Sequence, residues 1–320
     1  MATYLVTGVA GFIGSAIAHA LLERGDKVRG IDNYCTGNRE NLAELLPRLE
    51  FQDSDIRDLT AVKAACRGVD FVFHQAALAS VPRSVKEPLP TNEVNVGGTL
   101  NVLMAAKEAG VRRVIYAASS SAYGDTPTLP KHEGMVPNPI SPYAVSKLTG
   151  EHYMSAFYRV YGLETVSLRY FNIFGPRQDA NSQYSGVLAK FITNMLNGQT
   201  PMIFGDGEQS RDFTYIDNAV QANLLACSAP AKSVAGQVFN VATGERYTLN
   251  QTVELLRKLT DFKGQPQFTA ERPGDVKHSL ADISRARQHL GYNPTVDFKE
   301  GLKRTVAWYR TMQKPVASAT

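Results

Sequence analysis

Cysteine is scarce in this chain: its 320 residues include three, Cys35, Cys66 and Cys227, far apart along the sequence. An odd, scattered set predicts no disulfide framework, favours a reducing cytoplasm and shows no spacing typical of a metal site. The six histidines are equally dispersed, so we expect no bound metal. No apolar run approaches the ~20 residues of a membrane helix, and the N-terminus lacks a signal-peptide pattern. We therefore expect a cytoplasmic protein without a membrane partner.

Excess charge is also small, with a formal net charge of +4 and a pI near 8.8. Nucleic-acid binders usually concentrate a basic excess on one face, so we expect no nucleic-acid partner. A mild positive charge instead suits the attraction of an anionic small substrate. Hydrophobic residues make up 43% and charged residues 20%, as in ordinary globular proteins, and the length predicts two domains.

The first apolar run, residues 4–7, leads into three glycines at three-residue spacing, Gly8, Gly11 and Gly14, and then into a helical pattern. Glycines between a strand and a helix permit a tight turn and a close backbone approach to a pyrophosphate at the helix N-terminus. The pattern is G-x-x-G-x-x-G rather than the ordinary G-x-G-x-x-G. With a strand before it and a helix after it, it predicts a dinucleotide site.

Asp32 closes the second predicted strand, 28–32, and follows Gly14 by 18 residues. A carboxylate at this place accepts hydrogen bonds from the adenosine ribose and repels a 2′-phosphate, which favours NAD over NADP. The alternative is an ordinary strand-end turn residue, and the nearby Arg39 leaves NADP open. The distance from the glycines favours cofactor binding.

Strands and helices then alternate. Apolar runs predict strands at 49–52, 69–74, 113–117 and 163–169, and a helix is expected over 93–109. This order is typical of an α/β protein with a Rossmann-type doubly wound parallel sheet. Beyond Gly175 the alternation becomes irregular. We therefore expect an NAD-binding domain over residues 1–175, with a return of about 214–241, and a smaller α/β substrate-binding domain over 176–320.

Tyr143 and Lys147 stand four residues apart in a helix predicted over 142–161, so both side chains project from one face. A free tyrosine loses its proton only near pH ~10. An ammonium group held nearby favours the tyrosinate, so Lys147 is expected to lower the pKa of Tyr143. The spacing alone also fits an ordinary amphipathic helix. Ser119, Ser120 and Ser121 follow the strand at 113–117, at the sheet edge where ligands bind, although serine runs are also common in flexible loops.

The chain carries eight short motifs in order over nearly its whole length: Thr7-Gly8-x-x-Gly11-x-x-Gly14, Asp32-Asn33, Asp55-Ile56, Ser119-Ser120-Ser121, Tyr143-x-x-x-Lys147, Arg169-Tyr170-Phe171-Asn172, Arg211-Asp212-Phe213 and Arg272-Pro273-Gly274-Asp275. With these motifs the chain resembles the extended short-chain dehydrogenases/reductases, and among them the nucleotide-sugar 4-epimerases. The resemblance implies a tightly bound NAD that is regenerated in each turnover.

In that family the tyrosine removes the proton of the sugar 4-hydroxyl while hydride leaves C4, and the 4-keto sugar turns over before the hydride returns. The resemblance implies that Tyr143, Lys147 and Ser119 are the catalytic residues, with Lys147 also holding the nicotinamide ribose. The cofactor-binding residues that it implies are Gly8, Gly11, Phe12, Ile13, Gly14, Asp32, Asn33, Asp55, Ile56, Ala76, Ala77, Asn95, Tyr143, Lys147 and Phe171.

The resemblance also implies contacts to a UDP-sugar. Those residues are Ser80, Ser119, Ser120, Ser121, Tyr143, Asn172, Gln178, Val187, Arg211, Arg272, Asp275 and Ser279. Nucleotide-sugar dehydratases carry Asp-Glu where this chain has Ser120-Ser121, which disfavours water elimination. Galactose-type epimerases carry a lysine where this chain has Ala79, and a bulky residue where it has Ser279. The small Ser279 leaves room for a 2-acetamido group, so we expect UDP-N-acetylglucosamine and UDP-N-acetylgalactosamine as substrates, with UDP-glucose and UDP-galactose as a further pair.

UDP-glucuronate 4-epimerase is the alternative, because Arg83 and Arg177 offer positive charge to a carboxylate. Two other classes stay open: a non-catalytic NAD-binding sensor, and an oxidoreductase that releases NADH or uses NADPH. Relatives pair the helices corresponding to 93–109 and 142–161 across a four-helix interface, so a homodimer is expected, although these helices could instead face their own sheet.

Overall fold

The computed structural model describes residues 2–179, 186–271 and 276–312. Its strands are β1 (Thr3–Thr7), β2 (Lys27–Asp32), β3 (Leu49–Asp53), β4 (Phe71–His74), β5 (Arg113–Ser119), β6 (Glu164–Tyr170), β7 (Ile173–Phe174), β8 (Met202–Phe204), β9 (Ser210–Arg211), β10 (Thr214–Tyr215), β11 (Gln237–Val241), β12 (Tyr247–Thr248) and β13 (Gln267–Thr269). Its α-helices are α1 (Phe12–Glu23), α2 (Leu59–Cys66), α3 (Val81–Lys86), α4 (Pro88–Asn92), α5 (Thr99–Glu108), α6 (Pro142–Tyr161), α7 (Val187–Leu196), α8 (Ile216–Ser228), α9 (Ala231–Val234), α10 (Leu249–Thr260), α11 (Ser284–Leu290) and α12 (Phe298–Met312).

Seven strands form one sheet in the order β11-β6-β5-β4-β1-β2-β3, and every neighbouring pair is parallel. One face is buried under α1 and α8, where Ile17 and Ala222 belong to one hydrophobic cluster. The opposite face is buried under α2, α5 and α6, with Val62, Val102 and Met154 in a second cluster. The predicted doubly wound α/β fold is confirmed. The strand order reverses between β1 and β4, so a ligand crevice is expected beyond the carboxyl ends of these strands.

Helix α6 has the bounds that the sequence predicts, and its ends explain why. The Ser141 hydroxyl accepts a hydrogen bond from the Ala144 N–H (3.2 Å), and Pro142 occupies the first helical position. Gly162 ends the helix in the left-handed conformation, with φ 71°. The buried face of α6 packs on β5 and β6 and carries Lys147. The rigid element predicted to hold the catalytic pair therefore lies against the central sheet.

The irregular part of the chain contributes three short strand pairs and a third hydrophobic cluster. Strand β7 pairs with β10, β8 with β13, and β9 with β12. The cluster is rich in aromatic rings, and Phe213 stacks on Phe298 with ring centroids 4.9 Å apart. Strand β11 pairs in parallel with β6 and so belongs to the central sheet. The predicted domain boundaries stay a prediction.

One local prediction needs correction. The helix expected over 93–109 begins as a π-helical stretch, Glu93–Gly98, before α5. A side chain at Gly98 would lie 2.5 Å from Ile56 Cδ1, so glycine permits this close approach. In the described ranges, no helix combines the length and apolarity that crossing a membrane requires.

Candidate active site

A cleft of about 760 Å³ opens beyond the carboxyl ends of the central strands. It brings together residues from both predicted binding sites and all three predicted catalytic residues. Those in its walls are Gly8, Gly11, Phe12, Ile13, Gly14, Asp32, Asn33, Asp55, Ile56, Ala76, Ala77, Ser80, Ser119, Ser120, Ser121, Tyr143, Lys147, Phe171, Asn172, Gln178, Arg211 and Ser279.

The glycine turn between β1 and α1 forms one end of the cleft. Gly8 has φ +69°, and a Cβ there would lie 2.7 Å from the backbone of Ala76. A Cβ on Gly14 would lie 2.1 Å from the Gly8 carbonyl oxygen, so both positions need glycine. Gly11 is the N-cap of α1 and has no side chain that could cap the helix. The turn therefore presents the N-terminus of α1 to the cleft, as a pyrophosphate requires.

Asp32, at the end of β2, is held beside this turn. One carboxylate oxygen accepts from the Ala10 N–H (2.9 Å) and the other from the Tyr34 N–H (2.7 Å). Burial raises the pKa of Asp32, and these backbone hydrogen bonds oppose the rise. Arg39, which left NADP open, is stacked over the Tyr34 ring at 4.0 Å and lies 3.7 Å from Asp53. These contacts support an NAD ribose at Asp32.

We expect Asp32→Asn to lower the preference for NAD over NADP about tenfold, because it removes a carboxylate that repels a 2′-phosphate. The ratio of the two dissociation constants, measured by calorimetry on protein freed of resident cofactor, tests this. Glu50→Gln is the matched control, since it makes the same charge change on β3 outside the cleft wall. A ratio unchanged in Asp32→Asn would contradict the assignment.

Ser119 is the last residue of β5 and faces Tyr143 across the cleft floor. The Ser121 hydroxyl donates to the Ser119 hydroxyl oxygen (2.8 Å), and the Ser121 N–H also donates to it (3.2 Å). The neighbouring Ser119 side chain lowers the pKa of Tyr143, which favours the tyrosinate. The Tyr143 N–H is anchored on the Ser84 hydroxyl (3.0 Å). The serines thus form a hydroxyl relay that ends on Tyr143.

Lys147 lies one turn after Tyr143 with its side chain buried. Its Nζ donates to the Ala117 carbonyl (2.8 Å) and lies 4.9 Å from the centre of the Tyr116 ring. Burial lowers the pKa of Lys147 to about 7, and the Glu151 carboxylate partly offsets this shift. The Lys147 amine therefore gains or loses its proton near neutral pH.

The expectation that Lys147 lowers the pKa of Tyr143 is wrong for the protein alone. Burial raises the pKa of Tyr143, and the hydrogen bond from Ser119 is what opposes the rise. The physical reason is that the Lys147 amine is engaged with Ala117 and has itself lost much of its preference for the charged form.

A buried ion pair lies behind Lys147. Glu151, one turn further along α6, receives two hydrogen bonds from the Arg169 guanidinium, at 2.9 and 2.7 Å. Arg169 also lies over the Tyr123 ring, 4.6 Å from its centre. This bidentate geometry fixes the part of α6 that carries Lys147 against β6.

The end of the cleft that is predicted to bind the substrate is built from separate segments. Asn172 follows β6, and its amide donates to the Ser279 hydroxyl (3.2 Å) and to the Asp212 carbonyl (2.9 Å). The Arg211 guanidinium donates to the carbonyls of Ser210 and Lys277, both at 3.0 Å. The cleft therefore has a glycine turn at one end and polar side chains with a guanidinium at the other.

Of the predicted residues that the structure describes, two are not in the cleft wall, Asn95 and Val187. Asn95 is buried, and its side chain bonds to Leu78 and to the Ser146 hydroxyl (3.0 Å), so it positions protein groups. Val187 begins α7 beside the third hydrophobic cluster. Arg272 and Asp275 lie outside the described residues.

Sequence reasoning missed several groups of the cleft. Tyr170 lines it, and its hydroxyl accepts from the Asn223 amide (2.7 Å); its place in the Arg-Tyr-Phe-Asn motif was the available signal. Lys131 also lines it, and its amine donates to Thr126, but nothing in the proline-rich segment around it indicated this. Asp212, next to Arg211, is fully buried and ties three segments together.

A Rossmann-type sheet with a glycine turn, an acidic residue after β2 and a Ser-Tyr-Lys cluster defines a nucleotide-dependent enzyme of the short-chain dehydrogenase/reductase type. The chain belongs to the NAD dependent epimerase/dehydratase family, whose model matches residues 4–242. The resemblance inferred from the motifs is confirmed, and with it NAD as the cofactor.

Individual relatives match over almost the whole chain. The UDP-glucose 4-epimerase of Mycolicibacterium smegmatis is 40% identical over 311 residues, covering 96% of this chain and 98% of the relative. UDP-glucose 4-epimerase from Thermotoga maritima, solved with UDP-glucose, has a TM-score of 0.93 at 39% identity, covering 98% of this chain and 100% of that one. UDP-N-acetylglucosamine 4-epimerase from Methanobrevibacter ruminantium M1, solved with UDP-N-acetylmuramic acid, has a TM-score of 0.92 at 42% identity, covering 98% and 99%.

Proposed function

We propose that this chain is an NAD-dependent 4-epimerase of UDP-hexoses, interconverting UDP-N-acetylglucosamine and UDP-N-acetylgalactosamine and, as a further pair, UDP-glucose and UDP-galactose. The observation that carries the proposal is that Ser119, Tyr143 and Lys147 line one cleft together with a dinucleotide-type glycine turn and a set of polar side chains. The relatives with UDP-sugar 4-epimerase names support the same reaction class.

NAD, when bound, supplies the acceptor and donor of hydride. Gly8, Gly11 and Gly14 would hold its pyrophosphate, and Asp32 its adenosine ribose. Tyr143 takes the proton of the 4-hydroxyl as C4 is oxidised and returns a proton when C4 is reduced on the other face. Ser119 hydrogen-bonds the reacting oxygen and relays the proton through its contact with Tyr143. Lys147 would hold the nicotinamide ribose.

The small residues in the wall support the acetamido sugars. Ala79 and Ser279 both line the cleft, where relatives of the galactose type carry a lysine and a bulky residue. Ser279 is 9% exposed, so its neighbours are packed closely and a larger side chain there would enter the cleft. Ser120 and Ser121 stand where the dehydratases carry an Asp-Glu pair, which disfavours water elimination.

The alternative substrate, UDP-glucuronate, has less support. Arg177 does not line the cleft and lies 3.5 Å from Glu44. Arg83 lines it but faces Glu87, at 3.5 Å, on its own helix. A non-catalytic sensor is also disfavoured, because Tyr143 and Lys147 are both kept and both reach the cleft.

Incubation of purified protein with UDP-N-acetylglucosamine and no added NAD, followed by proton NMR, tests the proposal. Growth of the UDP-N-acetylgalactosamine signals supports the reaction, the substrate and a resident cofactor together. Turnover of UDP-glucose or UDP-glucuronate alone would contradict the proposed acetamido-sugar substrate but would leave the assignment as a 4-epimerase intact. Folded protein with NAD bound that turns over none of the three would contradict the proposed function.

We also propose that the protein is a homodimer. Helix α6 exposes apolar side chains away from the sheet, among them Val145 at 50% and Tyr161 at 50%. These exposed apolar side chains are the observation that supports association with a second copy through this helix. Light scattering at micromolar concentration should give about twice the monomer mass, and a monomer would contradict the dimer.

A further inference from the structure

Asp212 lies at the junction of three chain segments, between β9 and β10, and its side chain is 0% exposed. One carboxylate oxygen accepts from the N–H (3.0 Å) and the hydroxyl (2.8 Å) of Thr243. The other accepts from the N–H of Gly244 (3.0 Å) and of Ala281 (3.2 Å). The carboxylate therefore joins the turn after β11 and the segment before α11 to the β9–β10 connection.

The backbone of Asp212 also contacts the substrate end of the cleft. Its N–H donates to the Ser279 hydroxyl (3.3 Å), and its carbonyl accepts from the Asn172 amide (2.9 Å). Asn172 and Ser279 line the cleft, and so does Arg211, the residue before Asp212. Three cleft residues from three segments thus take their relative positions around one buried acid.

In all four hydrogen bonds to the Asp212 carboxylate the partner is the donor: three backbone N–H groups and the Thr243 hydroxyl. Within the described residues no ion pair to Asp212 is found. Tyr292 is the titratable side chain facing it, and the Tyr292 hydroxyl donates to the Ala242 carbonyl (2.9 Å). The Arg211 guanidinium is directed to the carbonyls of Ser210 and Lys277. Burial raises the pKa of Asp212 from 3.8 to about 6, against the opposing effect of its hydrogen bonds. This acid therefore takes up a proton just below neutrality.

We propose that Asp212 is a positioning residue whose ionised carboxylate holds the substrate end of the cleft in its binding geometry, so that the affinity for the UDP-sugar falls when this acid is protonated. The inference rests on the proposed function. A protonated carboxyl has an O–H that needs an acceptor, whereas three of its four contacts are backbone N–H groups that can only donate. Only the Thr243 hydroxyl can reverse to accept, so protonation breaks or rearranges at least one contact. Ser119, Tyr143 and Lys147 lie on β5 and α6 and are not among these contacts.

Acidification is expected to weaken UDP-sugar affinity, but through Asp212 it raises the free energy of unfolding. The folded-state pKa of Asp212 is above its ordinary value of 3.8, so folding binds protons between about pH 4 and 6. For this group the free energy of unfolding falls as the pH rises through that window. A weaker affinity on acidification is therefore not explained by this acid unfolding the chain.

The test is the dissociation constant of UDP-N-acetylglucosamine, measured by calorimetry between pH 5 and 7.5, beside the KM from the NMR assay. The diphosphate diester of this ligand does not titrate in that range. We expect the wild-type dissociation constant to rise about tenfold from pH 7.5 to 5, the equivalent of ~1.4 kcal/mol. In Asp212→Asn the amide NH2 group, a donor, faces the donors that the carboxylate accepts from. This variant should therefore show the weak affinity at every pH, and its kcat should fall by a smaller factor than its KM rises.

NAD content is the folding control for Asp212→Asn, because the glycine turn and Asp32 do not contact Asp212. If that variant does not fold, Thr243→Val replaces it: losing one hydroxyl donor raises the pKa of Asp212 further, so the affinity change should move to higher pH. A wild-type affinity that is flat across the range, or an Asp212→Asn affinity within twofold of wild type at pH 7.5, would overturn the inference. Absent turnover with normal pH-dependent binding would instead count against the proposed reaction.

Discussion

Tyr143→Phe is expected to lower kcat about a thousandfold, within the range of losses seen when a general acid–base group is removed. The substitution deletes one hydroxyl, the group that hydrogen-bonds Ser119 and would exchange a proton with the sugar 4-hydroxyl. The ring stays in place, because the Tyr143 N–H remains anchored on Ser84 and the ends of α6 are unchanged. Substrate and NAD affinity should therefore stay within about threefold.

Tyr158→Phe is the matched control, since it makes the same chemical change on the same helix at a residue outside the cleft wall. Both variants should keep wild-type circular dichroism and NAD content. Turnover by Tyr143→Phe within tenfold of the wild-type rate would show that another group moves the proton, and the catalytic assignment would have to be abandoned.

Ser279→Tyr is expected to change substrate selectivity. A phenol at this position would fill the space assigned to the acetamido group, and overpacking of a closed site costs about 1–3 kcal/mol. The ratio of kcat/KM for UDP-N-acetylglucosamine to that for UDP-glucose should accordingly fall by about 10- to 100-fold. Parallel NMR assays with the two sugars measure the ratio directly.

Ser279→Ala distinguishes the effect of side-chain volume from the effect of the lost hydrogen bonds. The Ser279 hydroxyl accepts from the Asn172 amide and from the Asp212 N–H, and both variants lose these contacts. Alanine adds no volume, so its selectivity ratio should remain near the wild-type value even if both KM values rise. Equal ratios in Ser279→Tyr and Ser279→Ala would place the acetamido group elsewhere in the cleft.

The features that sequence predicted best are local. The glycine turn, Asp32 after β2 and the span of α6 follow from spacing, strand-end position and capping residues, each within one short segment. The parallel sheet follows from the alternation of strands and helices. These signals can be recognised without knowing which distant segments of the chain contact one another.

The features that were missed depend on long-range contacts. Asp212 reaches Thr243 and Ala281, which are 31 and 69 residues away, so no local pattern reports its burial. The pKa of Lys147 depends on its burial against the sheet, and its amine is engaged with the Ala117 carbonyl. The expectation that Lys147 lowers the pKa of Tyr143 was wrong for this reason. Asn95 stays a predicted cofactor ligand, and its long-range contacts to Leu78 and Ser146 are visible only in the structure.

The most direct measurement of the central claim is the fate of the hydrogen on C4. UDP-N-acetylglucosamine carrying deuterium at C4 would be incubated with the purified protein and no added NAD, and the product examined by NMR. The account predicts UDP-N-acetylgalactosamine that retains deuterium at C4, because the hydride leaves and returns within one closed site. Exchange of that deuterium with solvent, release of reduced cofactor, or no inversion at C4 by NAD-loaded protein would contradict it.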